Sequence, residues 1–291
     1  MANPTILVFG TVHHPVLTLL YHYLLERGKR RVVYLANESF PLSPSFFYQL
    51  SRDGQNGRIM LEDGGSVDWD DVVSTALDGY FVQPPGLEVY SPTDQEYLQA
   101  EAWAALIAMF AGLARRGPVA NHVLNRDVVG SRVATLSFLA GQGLPVPPVC
   151  ITSDPERARY FLSQQSAGTV YRPLTGRNLP FQDWNEQVDA RLERLPLCPV
   201  HLEGKFEGVQ VQVMRVGERW LTTSEVPPGE ILERLDKAAD QLGLHLAEAH
   251  LRRQGDRWVC MDLLPFITPA VFANPDTADL VARFFEEGTA A

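Results

Sequence analysis

The order of apolar and polar positions at the start of the chain predicts a strand, a helix and a second strand. The largely apolar run from Thr5 to Phe9 is typical of a buried strand. Between Pro15 and Arg27 the apolar residues recur at three- and four-residue spacing, as they do on one face of a helix. Gly28 suits the position that ends a helix, and a further apolar run extends from Arg31 to Ala36. This order predicts the opening of a parallel sheet.

Turn-forming residues divide the next stretch into shorter elements. Strands predicted at Phe46 to Ser51 and Gly57 to Glu62 flank a segment rich in turn residues and form a hairpin. Another strand is predicted at Tyr80 to Val82. A long helix then runs from Ser91, a suitable N-cap, to Gly117. We expect Pro118 to Asn121 to return to the sheet.

A proline-rich crossing marks the first candidate boundary between subdomains. A helix is predicted from Arg126 to Gln142, and Leu144 to Pro148 then leads into a strand from Val149 to Thr152. A helix from Pro155 to Ser163 and a strand from Thr169 to Arg172 follow.

From His201 onward the predicted strands follow one another closely. Val209 to Val216 alternates with a period of two residues, as a half-buried antiparallel strand does. Further strands are predicted at His201 to Phe206, Trp220 to Glu225, His245 to Leu251 and Trp258 to Leu263. The C-terminal part is therefore expected to be α+β.

Composition restricts the protein class and its partners. The 291 residues are 45% hydrophobic and 21% charged, which excludes disordered and fibrous classes. The net charge of −10 disfavours nucleic acid and anionic membranes as partners. The longest apolar helix candidate, Ala102 to Leu113, is too short to span a bilayer, and the start of the chain lacks a secretory pattern. We therefore expect a cytoplasmic protein.

The sequence lacks the common catalytic and phosphate-binding motifs. It contains neither GxxxxGK[ST] nor GxGxxG, and neither GxSxG nor HExxH. Cys150, Cys198 and Cys260 are far apart and lack CxxC spacing, so we predict free thiols rather than a disulfide framework or a zinc site.

Several short phrases, each weak alone, occur in the order in which one protein family has them. They are Ser39-Phe40-Pro41, Glu96 to Leu113, Asn121, Gly143 to Pro147, Thr152 to Ala158, Val170 to Gly176, Gly208 to Val213, Leu242 to Leu244 and Met261 to Pro265. In these phrases the chain resembles ATP-grasp peptide ligases, in the branch of ribosomal-protein glutamate ligases and the maturases of microviridin-type (graspetide) peptides. The resemblance covers nearly the whole chain.

This resemblance implies an ATP-grasp-like fold, α/β and α+β, with three subdomains. They are an N-terminal parallel α/β subdomain (1–122), a small central lid (123–200) and a C-terminal antiparallel α+β subdomain (201–291). The nucleotide cleft is expected between the last two. We expect the strands Thr169 to Arg172 and His201 to Phe206 on opposite walls of that cleft.

The resemblance also implies where a nucleotide would bind. Arg132 and Arg172 stand at two lysines that contact nucleotide phosphates in the family, and Glu203 is placed with them in the nucleotide site. Arginine keeps the charge but differs from lysine in bulk and hydrogen-bond geometry. Gln212 stands where the family has an arginine that steadies the transferred phosphoryl group, so this position is expected to be inactive.

The implied metal positions have changed even more. The three Mg²⁺ ligands of the family fall on His250, Asp262 and Leu264. Magnesium requires oxygen ligands, imidazole suits other metals and leucine cannot coordinate, so only Asp262 remains suitable. A second interpretation is that His250 and Asp262 form a hydrogen-bonded pair on adjacent strands. Arg172 could likewise be only a surface or salt-bridging arginine.

Two functions are compatible with these substitutions. The first is a pseudo-ligase that keeps the cleft, binds ATP and Mg²⁺ weakly or not at all, and recognises a peptide, a small carboxylate or an active paralogue. The second is an active ligase that forms an amide or ester bond through an acyl phosphate. We favour the first, because metal ligands, phosphate-binding lysines and the arginine are all replaced. A homo-oligomer is compatible with either.

Overall fold

Four β-sheets organise the part of the chain that the structure describes. The computed structural model describes residues 3–40, 45–52, 54–77, 85–121, 130–172, 174, 181–190, 192–222 and 225–288. The strands are β1 (Thr5–Gly10), β2 (Arg31–Ala36), β3 (Ser45–Ser51), β4 (Gly54–Met60), β5 (Ser66–Asp68), β6 (Val72–Leu77), β7 (Val119–Ala120), β8 (Val149–Thr152), β9 (Thr169–Arg172), β10 (Gln182–Asp183), β11 (Val200–Gly204), β12 (Val209–Val216), β13 (Arg219–Thr222), β14 (Leu246–Gln254) and β15 (Arg257–Leu264). The α-helices are α1 (Pro15–Arg27), α2 (Pro92–Leu113), α3 (Arg132–Gly141), α4 (Pro155–Gln164), α5 (Glu186–Asp189), α6 (Gly229–Gln241) and α7 (Pro275–Glu287).

The N-terminal sheet is parallel, with the strand order β2-β1-β6-β7. Along β1, Ile6 and Val8 belong to the core on the α1 side of the sheet. Leu7 and Phe9 alternate with them and pack on the α2 side, where the rings of Phe9 and Phe110 lie 5.1 Å apart. A strand buried on both faces reads as a continuous apolar run, so the predicted opening of a parallel sheet is confirmed.

The sequence pattern did not predict β6, which lies beside β1. Ser74 and Thr75 interrupt its apolar residues, yet both are buried. The Ser74 hydroxyl donates to the Phe285 carbonyl at 2.7 Å, so tertiary contacts satisfy a polar side chain inside this strand. The strand predicted at Tyr80 to Val82 lies outside the described residues.

A small antiparallel sheet, β3-β4-β5, covers the α2 side of the N-terminal sheet. The predicted hairpin is confirmed by the pairing of β3 with β4. Trp69 lies buried under this sheet and stacks on Tyr48 with 4.9 Å between ring centroids. Gly57 and Gly112 flank the indole, and a Cβ atom at either position would collide with it. These glycines therefore permit the close packing of the small sheet on α2.

The central sheet is antiparallel, with the order β10-β9-β11-β8. Helix α3, which precedes it, begins at Arg132, because the Ser131 hydroxyl accepts the Ala134 N–H and caps the helix. The predicted start at Arg126 is therefore wrong for residues 130 and 131, and residues 126–129 lie outside the described part.

Strands β9 and β11 are neighbours in this sheet, with Arg172 opposite His201. The expectation that they form opposite walls of one cleft is wrong. Antiparallel pairing places them side by side, and the second wall comes from the C-terminal sheet, whose order is β13-β12-β14-β15. The long connection between the two strands carries no pattern that predicts their pairing.

The last helix, α7, returns to the N-terminal sheet. Phe284 and Phe285 are buried in the same core as Val8 of β1. Glu286, at the end of α7, accepts two hydrogen bonds from the Arg27 guanidinium at 2.6 and 2.9 Å. The expected combination of a parallel α/β part with antiparallel sheets is confirmed, while the boundaries 1–122, 123–200 and 201–291 stay a prediction. No helix among the described residues is long and apolar enough to cross a membrane.

Candidate functional site

A cavity of about 230 Å³ lies between the central and C-terminal sheets. We call it the central cleft, and its lining includes Arg132, Phe181, Glu203, Gln210, His250 and Met261. These residues come from α3, the loop before β10, β11, β12, β14 and β15. The cleft therefore brings together Arg132, Glu203 and His250, which the sequence selected as candidates.

Arg132, at the first position of α3, joins both walls of the cleft. Its Nε and Nη2 atoms donate to the two carboxylate oxygens of Glu203 at 3.0 and 2.7 Å. Its Nη1 atom donates to Asp262 Oδ2 at 2.8 Å. Because Glu203 lies on β11 and Asp262 on β15, the guanidinium bridges the two sheets. We call these three residues the Arg132 triad.

The Arg132 triad is buried, which makes its charges depend on one another. The three side chains are 7%, 2% and 10% exposed. Burial lowers the pKa of the Arg132 guanidinium, but hydrogen bonding and charge attraction from Glu203 and then Asp262 outweigh it, so the pKa lies above its usual range. The bidentate contact with Glu203 is the strong geometry for arginine and a carboxylate.

Phe181 brings the second candidate arginine to the same place. The Arg172 guanidinium carbon lies 4.5 Å from the centre of the Phe181 ring, and that of Arg132 lies 5.0 Å from it. Both distances are in the range of cation–π attraction. Arg172 is 5% exposed, so it is not a surface arginine. The two residues implied as phosphate contacts thus lie close together, around one aromatic ring.

His201, on β11, is a buried histidine beside these cations. Burial lowers its pKa to about 4, and the charges of Arg172 and Arg132 add to this effect. Its Nε2 atom lies 3.6 Å from Glu203 Oε2, beyond hydrogen-bond distance, and finds no partner among the described residues. The imidazole is therefore neutral at neutral pH.

This histidine should make stability fall on acidification. Between pH 6.5 and 4 the unfolded chain binds a proton at His201 and the folded chain does not, so the free energy of unfolding should drop by about 3 kcal/mol through this group. Urea unfolding at several pH values measures the drop. His201→Gln should remove the contribution of His201 to the pH dependence of the free energy of unfolding, while the contributions of other groups remain. An identical pH dependence in both proteins would contradict the assignment.

The implied metal positions have other partners. His250 Nε2 lies 2.6 Å from Glu248 Oε1. Asp262 accepts from Arg132 and, through Oδ1, from the Leu263 N–H at 2.9 Å. His250 and Asp262 face each other across β14 and β15, but their side chains bond elsewhere. Among the described residues, no group of three His, Cys, Asp or Glu side chains could hold a metal ion.

Gln212, which the resemblance places at an arginine of the family, faces the same side of its sheet as His250. It lies opposite His250 in the pairing of β12 with β14, and it lines a second cavity, of about 440 Å³. Glu248 lines this cavity too, and sequence reasoning missed it. The alternation of Leu246, Glu248 and His250 along β14 is a signal that could have placed this carboxylate on the cleft side. Phe181 carries no such signal.

The comparisons with known proteins agree on the architecture. No family model and no curated protein matches the sequence. Among solved structures, the macrocyclase MdnC bound with precursor peptide MdnA, from Microcystis aeruginosa MRC, has a TM-score of 0.77 at 16% identity, covering 97% of this chain and 98% of its own.

Two further structures support the same likeness. A Chryseobacterium gregarium RiPP-associated ATP-grasp ligase, in complex with ADP and a leader and core peptide, has a TM-score of 0.79 at 13% identity, with coverage of 97% and 96%. The ATP-grasp ligase PsnB, complexed with minimal precursor, Mg and ADP, has a TM-score of 0.74 at 17% identity, with coverage of 96% and 97%. At these identities the likeness shows the fold alone, and the expected ATP-grasp fold is confirmed.

Proposed function

We propose that this chain, which has the ATP-grasp fold, is a cytoplasmic pseudo-ligase that binds a peptide partner and does not turn over ATP. The partner class follows the solved structures of similar fold, which hold precursor, leader or core peptides. The proposal includes two other candidate partners, a small carboxylate and an active paralogue.

The Arg132 triad is the observation that carries the proposal. Arg132 stands where the family has a phosphate-contacting lysine, yet its guanidinium is held by two carboxylates. One of these, Asp262, is the remaining oxygen ligand among the implied metal positions. A nucleotide phosphate and a metal would each have to displace a partner of a buried ion pair. Breaking such a pair costs about 3–5 kcal/mol, which would be subtracted from nucleotide affinity.

The metal positions support the same conclusion. Magnesium takes near-octahedral oxygen coordination. The Leu264 side chain offers no donor atom, and His250 is bonded to Glu248. The metal would bridge nucleotide phosphates and neutralise the charge that develops during phosphoryl transfer. Without a bound metal, phosphoryl transfer in this cleft would lack its main source of electrostatic stabilisation.

The second candidate function, an active carboxylate-amine or ester-forming ligase, is favoured by the charge of the cleft. Lys205 and Arg252 line the cavity together with Arg132, and Arg172 lies beside it. A cavity of about 230 Å³ remains open there. An enzyme that used arginines to hold phosphates would need the Arg132 triad to open on nucleotide binding.

Calorimetric titration with ATP and Mg²⁺ separates these two functions. For the pseudo-ligase we expect a dissociation constant on the order of millimolar, about −4 kcal/mol, because the triad must open. Arg172→Ala should change this weak binding little. A micromolar constant that Arg172→Ala abolishes would contradict the pseudo-ligase proposal and support the active ligase.

A further inference from the structure

The second cavity, of about 440 Å³, has a chemistry that the central cleft does not share. It lies between the sheet of β12 and β14, the turn Pro269–Ala273 and the start of α7. Its polar lining consists of Gln212, Thr222, Glu248, Thr268, Asn274 and Thr277. We call it the Glu248 pocket. The contact between Glu248 and His250 separates it from the central cleft, which His250 lines.

Glu248 is a buried carboxylate fixed by two contacts from different segments. Its side chain is 5% exposed. Oε1 lies 2.6 Å from His250 Nε2, and Oε2 accepts the Thr268 N–H at 3.1 Å. A carboxylate has about four acceptor sites, so about two remain for a ligand. A carboxylate held in this way needs no rearrangement to receive a donor.

The lining of the pocket selects the charge of its ligand. Among the described residues that line it, Glu248 is the one carboxylate and none is a lysine or an arginine. The remaining polar groups are neutral amides and hydroxyls. Val213, Met214 and Val271 provide apolar surface beside them. The Glu248 carboxylate would repel a phosphate or a carboxylate, whereas an ammonium group on an aliphatic stem matches both the carboxylate and the apolar surface.

We propose that the Glu248 pocket binds the primary amine of a peptide, with the ammonium group on the Glu248 carboxylate. The proposal rests on the proposed function in taking a peptide as the partner. It adds the recognised group, a lysine side chain or an N-terminal amine. The resemblance implies a nucleotide phosphate and Mg²⁺ as ligands at this end of the C-terminal sheet. Our proposal gives the Glu248 pocket an organic cation as its ligand.

Three small probes test the recognised group. N-acetyl-lysine methylamide carries only the side-chain amine, leucine methylamide only the α-amine, and N-acetyl-norleucine methylamide neither. We expect chemical-shift titration of the full chain to show that one or both amine probes bind with at least tenfold higher affinity than N-acetyl-norleucine methylamide. The tighter of the two amines identifies the source. Equal binding of all three probes would overturn the proposal.

Two variants tie the binding to this pocket. Glu248→Gln keeps an acceptor for the Thr268 N–H but removes the charge, and should weaken amine binding at least tenfold. Ala270→Trp, at an exposed position that lines the pocket, should block entry without touching the buried pair. Glu230→Gln, on the exposed face of α6, is the matched control and should change nothing. Unchanged amine affinity in both pocket variants would overturn the proposal.

The outcomes also separate this inference from the proposed function. Peptide binding without dependence on an amine would leave the pseudo-ligase standing and remove the amine pocket. ATP turnover together with amine binding would contradict the pseudo-ligase proposal and leave the amine pocket standing.

Discussion

Replacing Arg132 with alanine should lower the free energy of unfolding by about 3–5 kcal/mol, the largest effect that we expect of a single substitution in this protein. The variant leaves Glu203 and Asp262 facing each other in a buried cleft with no cation between them. The two negative charges would repel each other, and neither carboxylate could be hydrated again at its buried position. Urea unfolding of both proteins at pH 7 measures the loss.

Two controls show whether the loss comes from uncompensated charge. Arg159→Ala removes an exposed arginine that also pairs with two carboxylates, Glu156 and Glu193, and should cost less than about 1 kcal/mol. The triple variant Arg132→Met, Glu203→Gln, Asp262→Asn removes every charge of the triad and should recover most of the stability. If the triple variant is as unstable as Arg132→Ala, the loss comes from packing and not from charge.

Local patterns were sufficient to predict most elements of the fold. The strand and helix at the start of the chain, the β3–β4 hairpin and the alternating strand β12 depend on apolar periodicity and on turn residues close in sequence. Strand β6 was missed because Ser74 and Thr75 break its apolar run, and the hydrogen bond that satisfies the buried Ser74 hydroxyl, to the Phe285 carbonyl, is a tertiary contact.

The arrangement of the candidate site was harder to predict, because its contacts are distant in sequence. The resemblance implied site positions for Arg132, Glu203 and Asp262, but not the contacts of Arg132 with the other two, which lie 71 and 130 residues away. No local pattern relates three such positions. The wrong placement of β9 and β11 on opposite walls has the same origin, since the pairing of Arg172 with His201 is set by the sheet.

The substitutions in the cleft are coupled through physical contact. A lysine at position 132 could not form the bidentate contact with Glu203 that the arginine fork makes. The guanidinium also reaches Asp262, which then no longer needs a metal to balance its charge. The arginine that the resemblance places at a lysine and the changes at the implied metal positions are therefore compatible with one arrangement, in which protein groups are the partners of these side chains.

This arrangement predicts that the protein releases no ADP above background when ATP and Mg²⁺ are supplied, with or without peptides and amino acids as acceptors. Phosphoryl transfer needs metal ions to bridge the β- and γ-phosphates, and the implied metal positions retain one oxygen ligand, Asp262, which is paired with Arg132.

Partial restoration of the family's residues should fail as well. Arg172→Lys combined with Leu264→Asn should still give no ADP, because Gln212 and His250 remain and the Arg132 triad stays closed. A coupled-enzyme assay for ADP, run beside an active ATP-dependent ligase as positive control, measures the release. If the wild-type protein releases ADP in step with an added acceptor, and Asp262→Ala stops that release, the pseudo-ligase proposal is wrong. The arginines, His250 and Asp262 would then form a working site, in which nucleotide binding opens the triad and frees the Asp262 carboxylate for a metal.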